Sequence, residues 1–534
     1  MTTGTVTPRR SPVTRERESF WYLVHAEWTK FRTVRGWVIA VLLTMVLITA
    51  FAFLGTDVSG GCAATGGMSS ATGMSSGTGD AVACAAQPIG PGGEPVIDAF
   101  YFAHQPVTGN GTITVQVTSL TGQVPAAPAG SRLDEPQIGS GLQPWSKAGI
   151  IIKENTSQGS AYAAMMVTGS NGVRMQWDYV NDTPGVAGGA SATASAPRWL
   201  RLVRDGGSVT GYDSADGTRW TLVGTANLPG LTATVQAGLF AAGSSVNGNF
   251  GAMATGVFRH IGLSWPATGW TGTNVGGVLG AGGVPAPGTL RQSAGTVTVA
   301  GYGDIGPAAG NAYSGSGQSL QRALAGTFFG LIPLIVVAAM FITAEHRRGL
   351  IRVSLTAAPH RGRLLAAKAV VIGAAGFVAG VVAATAALAV GAPLLRRGGG
   401  LQWPVPPLTE ARMVVGTGAL LAVAAVLALA IGTVVRRSAT AITLVIAVMI
   451  VPYLFALGPL RGPDGSGPRW PLLITPASAL SVQQAVPRFY QLIAIYRPDE
   501  GYYPYPPWAG LAVECGWAAA ALTLAFFLLG RRDA

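Results

Sequence analysis

Charge is scarce in this chain. Only 11% of its 534 residues are Asp, Glu, Lys or Arg, against about 25% in ordinary soluble proteins. Together with a hydrophobic share of 49%, that excludes a disordered chain and argues against a wholly soluble one. Cysteine is scarcer still. Three residues without a C-x-x-C rule out a disulfide scaffold. No G-x-x-x-x-G-K-[ST] occurs, so the chain cannot cradle nucleotide phosphates in that way. No E-x-D-x-E strand motif supplies the paired carboxylates of a glycosidase. None of the five histidines pairs at metal-ligand spacing, so no metal is expected in the membrane part. Glycine is abundant at 75 residues but has no G-X-Y period, which excludes collagen.

What is present is a set of six long apolar runs, at 37–54, 324–344, 369–394, 413–435, 439–457 and 508–530. Each approaches the roughly 20 residues needed to cross a ~30 Å hydrocarbon core. The first follows 36 residues and has no clear A-x-A site behind it, so it reads as a retained span and not a signal peptide.

Charge sets the orientation. With both termini in the cytoplasm, the inside segments are 1–36, 344–368, 436–437 and 531–534, carrying 17 basic and 5 acidic residues. Everything else carries 18 of each, so the whole net charge of +12 falls on one side. Arg396, Arg397 and Arg412 run against this pattern, because they lie in a loop placed outside. The excess is topological, and no nucleic-acid partner is expected.

Residues 55–323 are then extracytoplasmic. Residues 55–94 form a Gly/Ser-rich linker holding Cys62 and Cys84. These two can bridge in an oxidising compartment or remain free thiols. From 95 to 265 short alternating runs follow one another, such as Gly111-Thr112-Ile113-Thr114-Val115-Gln116-Val117. Turns at Asn171-Gly172, Asp205-Gly206-Gly207 and Asp216-Gly217 separate them, the pattern of antiparallel hairpins in an all-β sandwich. Ala148-Gly149-Ile150-Ile151-Ile152 is continuous enough for a strand buried on both sides. Trp177, Tyr179, Tyr212 and Trp220 are candidates to stack on a sugar, although strand aromatics are more often core. Asp213 and Asp216 read as turn formers. Residues 266–323 read as linker, Gly/Pro-rich around 271–288, with an accessory β segment from Gly295 to Ile305.

The stretches Ser146-Lys147-Ala148-Gly149-Ile150, Ala196-Pro197-Arg198-Trp199-Leu200-Arg201-Leu202 and Asp213-Ser214-Ala215-Asp216-Gly217-Thr218-Arg219-Trp220 together resemble the non-catalytic concanavalin A-like lectin/glucanase sandwiches. That resemblance implies a jelly-roll domain that can take a glycan or cell-wall ligand.

In the membrane part, residues 20–35 place Phe20, Leu23, Val24, Trp28, Phe31 and Val34 near one helical face, with Lys30, Arg32 and Arg35 off it. This reads as an interfacial amphipathic helix in contact with lipid. Residues 345–368 are basic, with Glu345, Arg347, Arg348, Arg352, Arg361 and Arg363, and are long for a bare positive loop. Gly376-x-x-x-Gly380 permits close helix packing, Pro333 and Pro452 can kink their spans, and 458–507 reads as an outer loop. Glu514 stands inside the last span, where it either snorkels to the outer interface or meets cargo.

The motif His25-Ala26-Glu27-Trp28-Thr29-Lys30-Phe31-Arg32, the segment 344–368 and Leu473-Ile474-Thr475-Pro476-Ala477-Ser478 resemble ABC-2 type permeases of high-GC Gram-positive bacteria. The resemblance implies a half-transporter that pairs with a second permease subunit, identical or not. It also implies a cytoplasmic ABC ATPase partner that carries the ATP. The ATPase contacts would be Glu345, Arg347, Arg348, Arg352, Arg361 and Arg363, beside the helix bearing Trp28, Lys30, Phe31 and Arg32. No cofactor and no catalysis are expected on this chain itself. The rival reading is a membrane-anchored carbohydrate-binding or sensor module, although one span would suffice for an anchor.

Overall fold

The computed structural model describes residues 20–57, 88–126, 137–185, 196–246, 250–276, 287–310, 319–347, 361–397, 401–457, 469–493 and 496–532. Cys62 and Cys84 lie outside these residues.

Helix α1 (Phe20–Thr33) precedes α2 (Arg35–Asp57), the first of six helices long and apolar enough to span a membrane. The others are α3 (Thr327–Arg347), α4 (Arg361–Arg397), α5 (Pro407–Val435), the pair α6 (Ser438–Met449) and α7 (Val451–Leu457), and, after the short α8 (Trp470–Ile474), α9 (Pro507–Arg532). The fifth span is split at Ile450, ahead of Pro452, which has no N–H to continue the helical ladder. Between α4 and α5 the backbones approach closely. Gly376 and Gly380 of α4 meet Leu421, Thr417 and Gly418 of α5, so the small-residue motif packs within this chain.

The connection from α7 to α9 is more than an outer loop. After α8, a 3-10 helix, Pro476–Gln483, has every residue buried and sits between α9 and α5. Ser478 Oγ donates to Gly510 O, and Gln483 Nε2 donates to Thr327 Oγ1 at 2.8 Å and Thr417 Oγ1 at 3.0 Å. Non-helical backbone is tolerated at membrane depth only when enclosed in this way. Arg412 of α5 donates to Gln484 O, so one of the arginines that run against the charge count is spent on an internal contact.

Residues 96–307 form an antiparallel β-sandwich. One sheet runs Thr221–Asn227, Ser208–Ser214, Arg198–Asp205, Gly111–Ala126, Met253–Leu263, Thr296–Gly301, Thr289–Ser293, with Gln137–Ser140 beside the Gly111 strand. The other runs Thr271–Val275, Phe100–Thr108, Thr234–Ala242, Lys147–Lys153, Tyr162–Thr168, Val173–Trp177, Asn181–Pro184. Period-two alternation places Ile113, Val115, Val117, Leu200 and Leu202 in the core between the sheets. The Gly206-Gly207 hairpin forms with Asp205 paired to Ser208. Part of the expected linker is instead sheet. Thr271–Val275 pairs with Phe100–Thr108, and Thr289–Ser293 closes the other sheet. Polar edge strands have one neighbour only and need no apolar alternation.

The middle of the second sheet is buried on both faces, so Lys147–Lys153 and Tyr162–Thr168 are buried at every residue. Phe100, Phe102, Ile151, Tyr162, Tyr179 and Phe240 form a second core on its far side. That side rests on the membrane domain. Leu492 packs on Ile97 and Ala308, and Gln491 Nε2 donates to Tyr179 O and Val180 O at 3.3 and 3.2 Å. Lys147 Nζ ties the junction, ion-paired to Asp304 at 2.8 Å and donating to Gln491 O at 3.4 Å.

Candidate functional site

Three of the four lysines in the sequence, Lys147, Lys153 and Lys368, are fully buried. A buried ammonium must be paired. Lys368 lies in the first turns of α4, at the end of the bundle opposite the sandwich. Its Nζ reaches Glu27 Oε2 of α1 at 2.6 Å and Glu345 Oε1 of α3 at 2.8 Å, and stands 4.5 Å from the centre of the Phe341 ring. Lys30 completes the cluster from the rim, at 2.7 Å from Glu27 Oε1 and 3.4 Å from Glu345 Oε1.

Helical spacing builds this arrangement. Glu27 and Phe31 are one turn apart on the inward face of α1, and Phe341 and Glu345 are one turn apart on α3. The Phe341 ring meets Phe31 and Trp37 edge to face at 5.9 and 5.1 Å. Two carboxylates, two ammoniums and an aromatic wall thus fasten three helices with no net charge. Partial burial works against the Lys30 charge most strongly. Hydrogen bonds and attraction from Glu27 and Glu345 outweigh it and raise Lys30 above the ordinary lysine range.

The cluster holds the roots of α3 and α4, the two helices flanking residues 348–360. Glu345 is turned inward to Lys368 and is not displayed to a partner. The physical reason is that a fully buried ammonium beside it has to be neutralised. Arg361 Nη1 donates to Leu529 O at 2.8 Å, joining the start of α4 to the last turn of α9. Arg363 is exposed. Arg347 ends α3, but its side chain, with Arg348 and Arg352, lies outside the described residues. On α1, Phe31 is buried, while Trp28 and Arg32 are exposed. Glu27 and Lys368 are absent from the sequence-based candidates. The available signal was a carboxylate on the apolar face of an amphipathic helix and a lone lysine at the head of an apolar one.

The sandwich aromatics do not form one platform. Trp177 ends a strand of one sheet and Tyr179 sits in the turn that follows it, whereas Tyr212 lies in a strand of the other sheet and Trp220 just ahead of the next strand there. Tyr179 is buried, and its hydroxyl donates to Asp98 Oδ2 at 2.7 Å beside the Lys153–Asp98 pair, so its ring is core and faces no ligand. Trp177 and Tyr212 are half-buried, and Trp220 has the Arg201 guanidinium over its ring at 3.8 Å. Asp216 caps its own turn, accepting from the backbone of Thr218 and Arg219. Among the described residues no His/Cys/Asp/Glu group of metal-holding geometry occurs.

Near the Lys153 pair, burial raises the Asp178 carboxyl to about 6, against the opposing pull of the Tyr162 N–H and Lys153. Burial also raises Glu94 and Asp213. A folded acid that keeps its proton to a higher pH than the unfolded one loses stability as pH rises through that interval, here from about 4 to 6. The sandwich transition of the detergent-solubilised chain is therefore expected to melt lower at about pH 7 than at about pH 5. Asp178→Asn should flatten that dependence in a fluorescence melt. An unchanged slope would exclude Asp178 as its source.

A family model described as ABC-2 family transporter protein matches residues 21–534. No curated protein matches the chain. The crystal structure of a functionally unknown protein from Saccharomyces cerevisiae is similar over 34% of this chain and 83% of its own, at 16% identity and a TM-score of 0.23, which carries no argument.

Proposed function

Because the chain belongs to the ABC-2 transporter family, we propose that it is a permease subunit of an ABC exporter driven by a separate ATPase. The observation that carries this reading is the Glu27–Lys30–Glu345–Lys368 cluster. It locks α1, α3 and α4 together on both sides of the basic segment 348–360, so a force applied to that segment turns three helices as one body. The one-sided charge excess supports a cytoplasmic position for this end and for both termini, with the sandwich outside.

In this reading the ATPase holds the ATP and meets Arg347, Arg348, Arg352 and Arg363, while Glu345 and Arg361 position the helix roots from within. The full transporter pairs two permease subunits, identical or different, and the cargo is amphiphilic or polymeric. The sandwich, resembling concanavalin A-like domains, adds an outer contact for glycan or cell-wall polymer, with the half-exposed Trp220 as the aromatic to test first.

The test is co-purification. The tagged chain, extracted gently from its native membranes, should bring down a near-stoichiometric protein with a Walker motif, identified by mass spectrometry. Reversing the charges of Arg347, Arg348, Arg352 and Arg363 should remove that protein and leave the yield of the chain unchanged. A monodisperse chain that never retains an ATPase would remove the transporter reading and favour the anchored module.

A further inference from the structure

Glu514 lies in α9, seven residues from its first residue and so roughly 10 Å along the helix. The inward face of α9 runs through Gly510, Leu511, Ala518, Ala525 and Leu529, and Glu514 falls on that stripe where an apolar residue belongs. Its exposure is 0%, so it does not snorkel to the interface. Neither carboxylate oxygen has a hydrogen-bond partner among the described residues.

Its surroundings make this orphan conspicuous. The 3-10 helix Pro476–Gln483 is wedged between α9 and α5, with Gly510 against Ser478 and Gly416 against Val482. The polar side chains of that wedge are satisfied. Ser478 and Ser481 donate to carbonyls at the start of α9, and Gln483 bridges Thr327 and Thr417. A buried polar group left unpaired amid satisfied neighbours calls for a partner from outside the chain. One carboxylate cannot supply the six to eight oxygens a calcium ion takes, and no metal-holding group is present among the described residues. The apolar stripe around it suits a hydrocarbon body.

We propose that Glu514 binds the cationic head of an amphiphilic ligand when α9 separates from the 3-10 wedge. In the structure α9 is packed against the wedge at Gly510, one turn from Glu514, and Glu514 is closed off from solvent. This rests on the permease reading for its sense as a cargo contact, and the site would lie in the half of the bundle nearer the sandwich.

The full chain in phosphatidylcholine nanodiscs is treated with dicyclohexylcarbodiimide, an apolar reagent that adds to protonated buried carboxyl groups. Labelling of the Glu514 peptide is read by mass spectrometry. Dodecyltrimethylammonium should reduce that labelling several-fold, and dodecanol and dodecyl sulfate should not. Glu514→Gln, nearly the same shape without the acid, should stay folded, show no labelling there and lose saturable binding of radiolabelled dodecyltrimethylammonium. Equal labelling with and without the cation would overturn the proposal and leave a merely protonated acid. No labelling under any condition, or undiminished cation binding by Glu514→Gln, would overturn it as well. The assay needs no ATPase. Protection in a chain that retains no ATPase would keep the cation site and remove the transporter reading. ATPase retention without protection would do the reverse.

Discussion

Lys368→Met is expected to lower the apparent unfolding midpoint of the detergent-solubilised chain by about 10 °C, the scale of a 3–5 kcal/mol loss in a large domain. The side chain is fully buried and answers two carboxylates at 2.6 and 2.8 Å. Its removal leaves Glu27, itself 2% exposed, with the rim residue Lys30 as its one ion-pair partner among the described residues. The loss comes from stranding charge more than from losing a contact. A triple variant with Glu27→Gln, Glu345→Gln and Lys368→Met should therefore recover most of the drop, since apolar or neutral replacement of a whole buried ion set is often near neutral. Its ATPase retention should stay impaired, because the helices are then packed without being fastened. Size-exclusion after heating reads the first effect, and co-purification reads the second. A single variant as stable as the parent would mean that the cluster carries no weight.

Gly380→Leu should be as damaging for a different reason. A side chain at Gly380 would begin 2.7 Å from Gly418 Cα and 2.9 Å from Thr417 O. Both are backbone atoms of α5, so no rotamer change relieves the clash, and the central helix pair must move apart. Overpacking of a tight core costs typically 1–3 kcal/mol. The cost rises here because helix association in lipid relies on close contact of small residues, with little hydrophobic drive to restore it. The expected result is loss of the monodisperse peak in size-exclusion. Gly516→Ala is the matched control. That position has open space around it, and a helical alanine is favoured over glycine by about 1 kcal/mol. If both variants behave alike, the packing argument fails.

The parts legible in the sequence share one property: each is a local pattern. A membrane span must be a long apolar run, so all six could be read directly. An inward-facing strand alternates, so the first half of Gly111–Ala126 and most of Arg198–Asp205 were readable, and so was the doubly buried Lys147–Lys153 from the apolar run at its centre. The edge strands Thr271–Val275 and Thr289–Ser293 were not, because an edge needs only a neighbour's backbone and leaves little mark on side-chain choice. The 3-10 wedge was read as outer loop for a related reason. Its short polar residues look solvent-facing, and only the helices around it provide their hydrogen bonds.

The candidate site divides along the same line. Basic residues between the second and third spans drew attention to the stretch beside the cluster, but the sequence could not say which charges turn inward. Glu345 was grouped with the arginines around it, yet it faces Lys368. Tyr179 was grouped with sugar-stacking aromatics, yet it answers Asp98. Composition and periodicity by themselves determined a six-span membrane protein and a β-rich insertion, because hydrophobic burial acts on each segment separately. Only the tertiary structure decided that Glu27, Glu345 and Lys368, hundreds of residues apart in part, meet in one cluster while Glu514 finds no hydrogen-bond partner among the described residues. Ion pairing depends on distances of a few ångströms between helices, and those distances exist only once the helices have packed.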